Sequence, residues 1–130
     1  MSDIKILTFF EKERICEERF RRAGQFWHLY SDGTVMQNIF LNDTEMKAGL
    51  SILAASVQMV KPEIRLVTFA LMKNHIHLIL CGHREKCLQL FDIFKDEMRR
   101  IFRKTIRGID WNRFNATILS IDSLKALRNE

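Results

Sequence analysis

The sequence has few of the residues that interrupt or cross-link a chain. Its 130 residues include one proline, five glycines and three cysteines. So little proline and glycine indicates short connections, and the chain contains no linker, repeat or low-complexity segment. Cys16, Cys81 and Cys87 form no Cys-x-x-Cys pair, and an odd number of cysteines argues against a disulfide framework. A reducing, cytoplasmic location is therefore the expectation.

Long apolar runs are also lacking. No segment approaches the about 20 apolar residues of a membrane-spanning helix, and the first residues do not follow the pattern of a signal peptide. We therefore expect no membrane partner. The length suits one domain with a substantial core, and 47% of the residues are hydrophobic. The net charge of +5 is compatible with an anionic partner but is weak support for one.

Hydrophobic periodicity predicts an ordered series of elements. Residues 9–22 indicate a short helix, so residues 1–24 are interpreted as an N-terminal helical extension and 25–130 as the main domain. Strands are expected at the following residues: 25–30, 65–72, 75–81 and 116–121, with a further extended piece at 35–40. Helices are expected at 43–60, where Asn42 or Asp43 supplies the cap, and after Arg84. A final helix should begin at Asp122 or Ser123 and is incomplete at Glu130.

This order is typical of an α+β fold. Strand, helix, strand, strand, helix, strand is the ferredoxin-like split β-α-β pattern, an antiparallel sheet with two helices on one face. Residues 65–72 and 75–81 are apolar at nearly every position, so both strands are predicted to be central. Leu66, Thr68, Ala70 and Met72 should share one face. Lys73-Asn74 suits a tight hairpin link, since asparagine tolerates turn geometry.

Two histidines in one strand are the most informative feature. His75 and His77 are two residues apart, so they point to the same side with Cα atoms roughly 6.6 Å apart. With Ile76, Leu78 and Leu80 directed at the helices, the imidazoles should lie on the opposite, open face. Polar rings buried there need a partner, and a divalent cation with a bound phosphate is a candidate. Two ordinary histidines on a half-exposed strand are the alternative.

The other polar and reactive residues give weaker signals. Cys81, His83 and Cys87 suggest a separate zinc site, but core packing is the more common fate of such cysteines. His28 could line the open face, although an exposed strand position is the preferred interpretation. Tyr30, the only tyrosine, is interpreted as a packing residue. No nucleophile triad or phosphate-binding glycine loop is recognisable.

One side of the helix after Arg84 is rich in positive charge. A solvated helix face explains such a pattern, but next to a metal-binding pair it is also a candidate track for a phosphate backbone. With the hairpin link, the predicted DNA-binding residues are Lys73, Asn74, Arg99, Arg100, Arg103, Lys104 and Arg107.

The stretch Phe69-Ala-Leu-Met-Lys-Asn-His75-Ile-His77-Leu-Ile-Leu80 resembles the HUH-type single-tyrosine transposases, in particular the REP-associated tyrosine transposases. Their signature reads roughly Tyr-Val-Met-Pro-Asn-His-Val-His-Leu-Leu. The matching residues are Met72, Asn74, His75, His77 and Leu78, whereas Lys73 replaces the usual proline. Trp27-His28 followed by Asp32-Gly33 is also similar, and the resemblance extends from about Gln25 to the chain end.

The resemblance implies a concrete activity. Members nick and rejoin single-stranded or hairpin DNA through a 5′-phosphotyrosine, usually as homodimers. His75 and His77 would hold a divalent cation, Mg²⁺ or Mn²⁺, on the scissile phosphate.

The family's nucleophilic tyrosine and a polar third ligand lie on the helix after the last strand. This sequence reaches Glu130 as that helix begins and has no tyrosine after Tyr30. No residue of the chain is therefore assigned as catalytic, and the nucleophilic tyrosine is expected beyond Glu130. We expect that these 130 residues are a truncated domain and that they are inactive without the missing helix.

Two alternatives remain at this point. The chain could be a noncatalytic nucleic-acid-binding module on the same fold. It could instead be an unrelated small metalloenzyme or a structural ferredoxin-like dimer.

Overall fold

The computed structural model describes residues 25–36, 38–102 and 109–122. In chain order the elements are β1 (Phe26–Ser31), α1 (Asp43–Val60), β2 (Ile64–Leu71), β3 (Ile76–Gly82), α2 (Arg84–Phe102), a 3₁₀ turn (Trp111–Arg113) and β4 (Ala116–Ile121). The predicted strands and helices within these ranges are confirmed to within a residue or so. Residues 35, 36 and 38–40 form no strand, contrary to the prediction. The predicted helix at 9–22 and the final helix between Asp122 and Glu130 lie outside the described residues.

The four strands form one antiparallel sheet in the order β2-β3-β1-β4. This order, with α1 and α2 as the two crossovers, is the predicted ferredoxin-like α+β fold. The prediction that β2 is central is wrong, because among the described strands β2 lies at the edge of the sheet and pairs with β3 alone. Val67 and Phe69 on β2 remain 46% and 44% exposed. An apolar run therefore marked a strand correctly but did not reveal how many neighbours that strand has.

A bulge in β2 changes which of its residues face the helices. Leu66 pairs with Leu80, but the next pair is Thr68 with Ile79, so Val67 is an extra residue. Leu66 therefore packs against the main core, whereas Thr68 lies across from Ile79. The prediction that Leu66 and Thr68 share a face is wrong for this reason. An uninterrupted alternation was assumed, and the bulge breaks it.

Helix α1 begins as its sequence predicts. The side chain of Asn42 accepts a hydrogen bond from the Glu45 amide at 2.9 Å, and the Glu45 carboxylate accepts one from the Leu41 amide at 2.8 Å. These bonds satisfy amides that the first helical turn leaves without partners. The helix ends at Val60, immediately before Lys61-Pro62, where proline disfavours a helical residue before it.

Both helices pack against one side of the sheet, which we call the helix face. Ile76, Leu78 and Leu80 of β3 are fully buried there, together with Leu29 of β1. This confirms the predicted orientation of β3. Burying one such side chain contributes about 1.5–3 kcal/mol, so the helix face supplies most of the stability. Within the described ranges, neither helix is long and apolar enough to cross a membrane.

The opposite side, which we call the histidine face, is not uniformly open. At one end it carries a second small core of four residues that are all less than 9% exposed: Phe26, Ile79, Cys81 and Ile121. At the other end it carries the polar rings described below. The expectation of an open face therefore applies to only part of it.

Candidate functional site

The pairing of β1 with β3 gathers three histidines and the tyrosine. Tyr30 lies directly opposite His77, and His28 lies opposite Ile79. Directly paired residues share a side, so His28, Tyr30 and His77 all project from the histidine face. His75 lies just before β3, and its ring is adjacent to that of His77, with centroids 5.1 Å apart and planes at 83°. All four residues are half-buried, and both described helices pack against the opposite side of the sheet.

The ring of His75 is held by the hairpin link and by the loop after β1. The Asn74 side-chain amide donates to the Gly33 carbonyl at 2.8 Å, which directs its oxygen toward His75 Nδ1, also at 2.8 Å. An amide oxygen can only accept, so Nδ1 of His75 carries a proton, and in the neutral ring Nε2 then carries the lone pair. A Cβ on Gly33 would lie 2.8 Å from that Nδ1. Glycine is therefore required for this close approach.

Further hydrogen bonds fix the loop after β1 against the start of β3. The buried hydroxyl of Ser31 accepts from the Ile76 amide at 3.0 Å. Asp32 accepts from the Thr34 hydroxyl at 2.7 Å and from the Thr34 amide at 2.8 Å. Those two bonds, with a smaller contribution from nearby His75, hold the pKa of Asp32 below its ordinary value. These hydrogen bonds within the turn hold the loop after β1 in place beside His75.

The hairpin link itself is tied to the segment before α1. The Met72 amide donates to the His75 carbonyl at 2.8 Å, which confirms Lys73-Asn74 as a two-residue link. The Lys73 carbonyl accepts from the Ile39 and Phe40 amides at 2.6 and 3.0 Å. Among the described residues only Gly82 has a positive φ, so Asn74 contributes through its side chain and not through a left-handed backbone.

His77 is held by the neighbouring strand. Its Nδ1 lies 3.0 Å from Nε2 of His28, and the two rings are stacked with centroids 5.2 Å apart. The Tyr30 ring lies 4.8 Å from His28 and 5.9 Å from His77. The interpretation of His28 as an exposed strand residue is wrong, because its ring is half-buried and bonded to His77. The packing role predicted for Tyr30 agrees with these ring contacts.

The two rings of His75 and His77 have a separation suited to one shared ion. An imidazole coordinated at about 2.1 Å has its centre roughly 3.2 Å from the ion, so two such rings at 90–110° have centres about 4.5–5.2 Å apart. The observed 5.1 Å falls in that interval. Over the described ranges, no group of three histidine, cysteine or carboxylate side chains is placed to hold a metal ion. The pair would therefore be part of a ligand set.

Two residues of this site, Ser31 and Gly33, were not predicted as site residues. Both belong to the turn signal Ser31-Asp32-Gly33-Thr34, which does not indicate a contact with β3. The grouping of His28 with Tyr30 was readable in principle, because residues two apart in a strand share a side. Their contact with His77, however, depends on the register between β1 and β3.

The predicted DNA-binding residues are not all brought together. Lys73 and Asn74 lie beside His75, and both ends of the Asn74 side-chain amide are used within the site. Arg99 and Arg100 lie near the end of α2, in the layer on the other side of the sheet. The remaining three, Arg103, Lys104 and Arg107, lie outside the described residues.

Arg99 and Arg100 are also paired with acidic neighbours. Arg99 contacts Asp96 at 3.2 Å and Arg100 contacts Glu97 at 2.7 Å, all on exposed side chains. The hydrogen bond to Arg100 lowers the pKa of Glu97, and the same bond raises that of Arg100. Exposed pairs of this kind contribute little to stability. They do reduce the positive potential that the helix offers to a phosphate backbone.

Cys81 and Cys87 are buried, in agreement with the core role preferred for them. Burial raises the pKa of the Cys87 thiol to about 11, so it is protonated near neutral pH and a poor metal ligand or nucleophile. His83 is exposed in the loop before α2. The described residues thus offer no support for a zinc site at these three positions.

The predicted catalytic nucleophile also lies outside the described residues. The tyrosine was expected beyond Glu130, on the helix that follows β4. The structural description ends at Asp122, and Glu130 lies outside it. The tyrosine beyond Glu130 therefore stays a prediction, and it is neither supported nor contradicted by the geometry around His75 and His77.

No protein-family model matches the sequence, and no curated protein matches it. Solved structures that share its fold include two transposase structures. A candidate transposase from Deinococcus radiodurans R1 is 14% identical with a TM-score of 0.56, over 99% of this chain and 92% of its own. A REP-associated tyrosine transposase bound to a REP hairpin is 12% identical with a TM-score of 0.51, over 99% of this chain and 67% of its own. At such identities the likeness establishes the fold.

Proposed function

We propose that this chain is a transposase-like domain that binds single-stranded or hairpin DNA. In this proposal His75 and His77 hold one divalent cation, Mg²⁺ or Mn²⁺, next to a phosphodiester. The observation that carries it is the pair of adjacent, half-buried imidazoles on the histidine face, with ring centroids 5.1 Å apart.

The shared fold supports the DNA-binding part of the proposal. The chain is similar in fold to a candidate transposase and to a REP-associated tyrosine transposase that is bound to a REP hairpin. Folds host many functions, so the fold alone does not assign DNA. The local sequence adds to it, because Asn74, His75 and His77 match the signature of the family that the chain resembles.

The chain's own groups would prepare the cation site. Asn74 fixes the tautomer of His75 so that Nε2 carries the lone pair. Histidines that bind metal commonly donate their other ring N–H to a fixed acceptor, which orients the ring. When bound, the cation would polarise a phosphate oxygen and stabilise charge that develops there. Lys73, exposed beside His75, is suited to contact a neighbouring phosphate.

Strand nicking and rejoining through a 5′-phosphotyrosine is the finer part of the proposal. It requires a tyrosine nucleophile, which we place beyond Glu130, since Tyr30 is the only tyrosine in the printed sequence. Tyr30 packs beside His28 and His77, and we assign it a packing role. We therefore expect the 130-residue chain to bind DNA without forming a covalent adduct. Such proteins commonly act as homodimers, and we include a homodimer in the proposal.

Titration with Mn²⁺, followed by electron paramagnetic resonance, tests the cation site. We expect the protein to bind the ion, and the His75→Ala/His77→Ala variant to lose that binding. His83→Ala is the matched control, since His83 is an exposed histidine outside the site. Equal affinity in the double variant and the wild type would disprove the assignment of His75 and His77.

A labelled DNA hairpin tests the partner. Fluorescence anisotropy should show binding that weakens steeply with added salt, because phosphate contacts release counterions. Lys73→Ala should bind less tightly than Lys47→Ala, which removes an exposed lysine from α1 on the other side of the sheet. Binding that does not change with salt would contradict the proposal. A covalent adduct in Mn²⁺ would show that Tyr30 is a nucleophile and not a packing residue.

A further inference from the structure

We propose that His28 is a positioning residue for His77: it accepts a hydrogen bond from Nδ1–H of His77 and thereby directs Nε2 of His77 toward the cation. This inference rests on the proposed function of His75 and His77. It adds a residue that lies on another strand and belongs to no part of the His-x-His motif.

The geometry that supports it is a short contact between two ring nitrogens. Nε2 of His28 lies 3.0 Å from Nδ1 of His77, within hydrogen-bond range. The rings are nearly parallel, at 24°. Both residues lie on strands that are paired on each side, since β3 and β1 are the two inner strands of the sheet. The contact is therefore built on the most constrained part of the fold.

Only one proton can occupy this contact when both rings are neutral. If His28 were the donor, Nδ1 of His77 would be the acceptor and Nε2 of His77 would carry a hydrogen, which blocks coordination. If His77 is the donor, its Nε2 carries the lone pair and can bind a cation. Cation binding by His77 through Nε2 thus requires His28 to be the acceptor.

The ring of His75 has the same type of hydrogen bond, with a different residue as the acceptor. There the Asn74 side-chain oxygen accepts from Nδ1 at 2.8 Å and leaves the lone pair on Nε2. His28 would do for His77 what Asn74 does for His75. Both ligands would then present Nε2 and donate through Nδ1, as metal-binding histidines commonly do.

The geometry also argues against His28 as a third ligand. Its Nε2 is directed at Nδ1 of His77, the side of that ring away from the proposed coordinating nitrogen. In keeping with this, the described part of the chain contains no three-residue group placed around a common metal position. His28 therefore acts on the site through His77.

Two measurements test this role. Long-range ¹⁵N–¹H spectra of the metal-free protein at pH 8, above the ordinary pKa of imidazole, report the tautomer of each histidine. We expect the Nδ1–H form for His77 in the wild type and a shift toward the Nε2–H form in His28→Phe. Mn²⁺ affinity should fall roughly 10- to 100-fold in His28→Phe. His28→Gln, which can offer an acceptor oxygen at similar reach, should restore most of it.

The outcomes separate this inference from the proposed function. If His77 carries its proton on Nε2 in the wild type, or if His28→Phe binds Mn²⁺ as tightly as the wild type, His28 is not a positioning residue. If the His75→Ala/His77→Ala variant also keeps its affinity, the cation site itself is wrong. His83→Phe should change neither readout. Should His28→Phe fail to fold, the wild-type spectrum and the His28→Gln variant still decide the matter.

Discussion

The two sides of strand β3 differ in the interactions that their side chains make. On the helix face, Ile76, Leu78 and Leu80 are fully buried among apolar side chains. On the histidine face, His77 is half-buried and engaged in directed contacts with His28 and His75. Burial on the first face is non-directional and proportional to area. Contacts on the second depend on the position of single nitrogen atoms.

This difference indicates that substitutions on the helix face should mainly reduce stability, whereas substitutions on the histidine face should mainly reduce cation binding. A change on the helix face leaves a cavity among close-packed atoms. A change on the histidine face alters the orientation of a half-buried ring that is held by directed contacts. Residues that support the core and residues that support the histidine site should therefore give different patterns of effect, most clearly where they are neighbours in β3.

The largest contrast should come from Leu78→Ala against His77→Ala. Leu78→Ala should lower the free energy of unfolding by about 2–5 kcal/mol, because it empties space in a fully buried position. His77→Ala should lower it by only about 0.5–1.5 kcal/mol, the usual contribution of a hydrogen bond, and yet abolish Mn²⁺ binding. Urea unfolding and Mn²⁺ titration measure the two effects. Equal destabilisation by both variants would contradict the comparison.

Glycine substitutions give a second, smaller contrast. In Gly49→Ala the new Cβ would lie 2.4 Å from the ring of fully buried Phe40, and such overpacking costs about 1–3 kcal/mol. Alanine's higher helix propensity offsets about 1 kcal/mol of this. In Gly33→Ala the Cβ would meet His75 Nδ1 at 2.8 Å, so we expect weaker Mn²⁺ binding with little loss of stability.

Thermal unfolding and Mn²⁺ titration of both glycine variants check this contrast. A Gly33→Ala protein that binds Mn²⁺ like the wild type would show that the close contact with His75 does not position its ring. Stability lost equally in the two variants would contradict the assignment of Gly33 to the site.

The smallest effect concerns Asp32. Its pKa in the folded protein is lowered by hydrogen bonds from Thr34, so ionised Asp32 stabilises the fold above its unfolded pKa of about 3.9. That contribution disappears as the pH falls through the lower, folded pKa. Asp32→Asn should therefore lower the free energy of unfolding slightly at neutral pH and remove the part of its decline below about pH 4 that Asp32 causes, so that the variant and the wild type become alike in acid. Urea midpoints measured across this range, with exposed Asp122→Asn as control, check it.

Much of the fold could be read from local patterns. The apolar spacing predicted α1 at its observed bounds, and Asn42 caps it as expected. The alternation of β3 predicted which side carries His75 and His77. The order of elements then pointed to the ferredoxin-like arrangement, because few topologies satisfy short connections and right-handed crossovers.

Other features could not be read locally. The apolar run of β2 was interpreted as a central strand, but its place at the edge depends on which strands find partners. The bulge at Val67 moved Leu66 to the helix face, and nothing in its composition marked that insertion. The role of His28 was misjudged for the same reason, since its partner lies 49 residues away.

The sequence by itself determined the local features: the period of the elements, the caps and turns, and a pair of imidazoles on one side of a strand. These follow from local sterics and hydrogen bonding, which act over a few residues. The tertiary structure alone decided which strands are inner, where the register slips, and that His28 contacts Nδ1 of His77. These features depend on contacts between segments that are distant in sequence. Such contacts form, and stabilise the fold, only when the whole sheet is assembled.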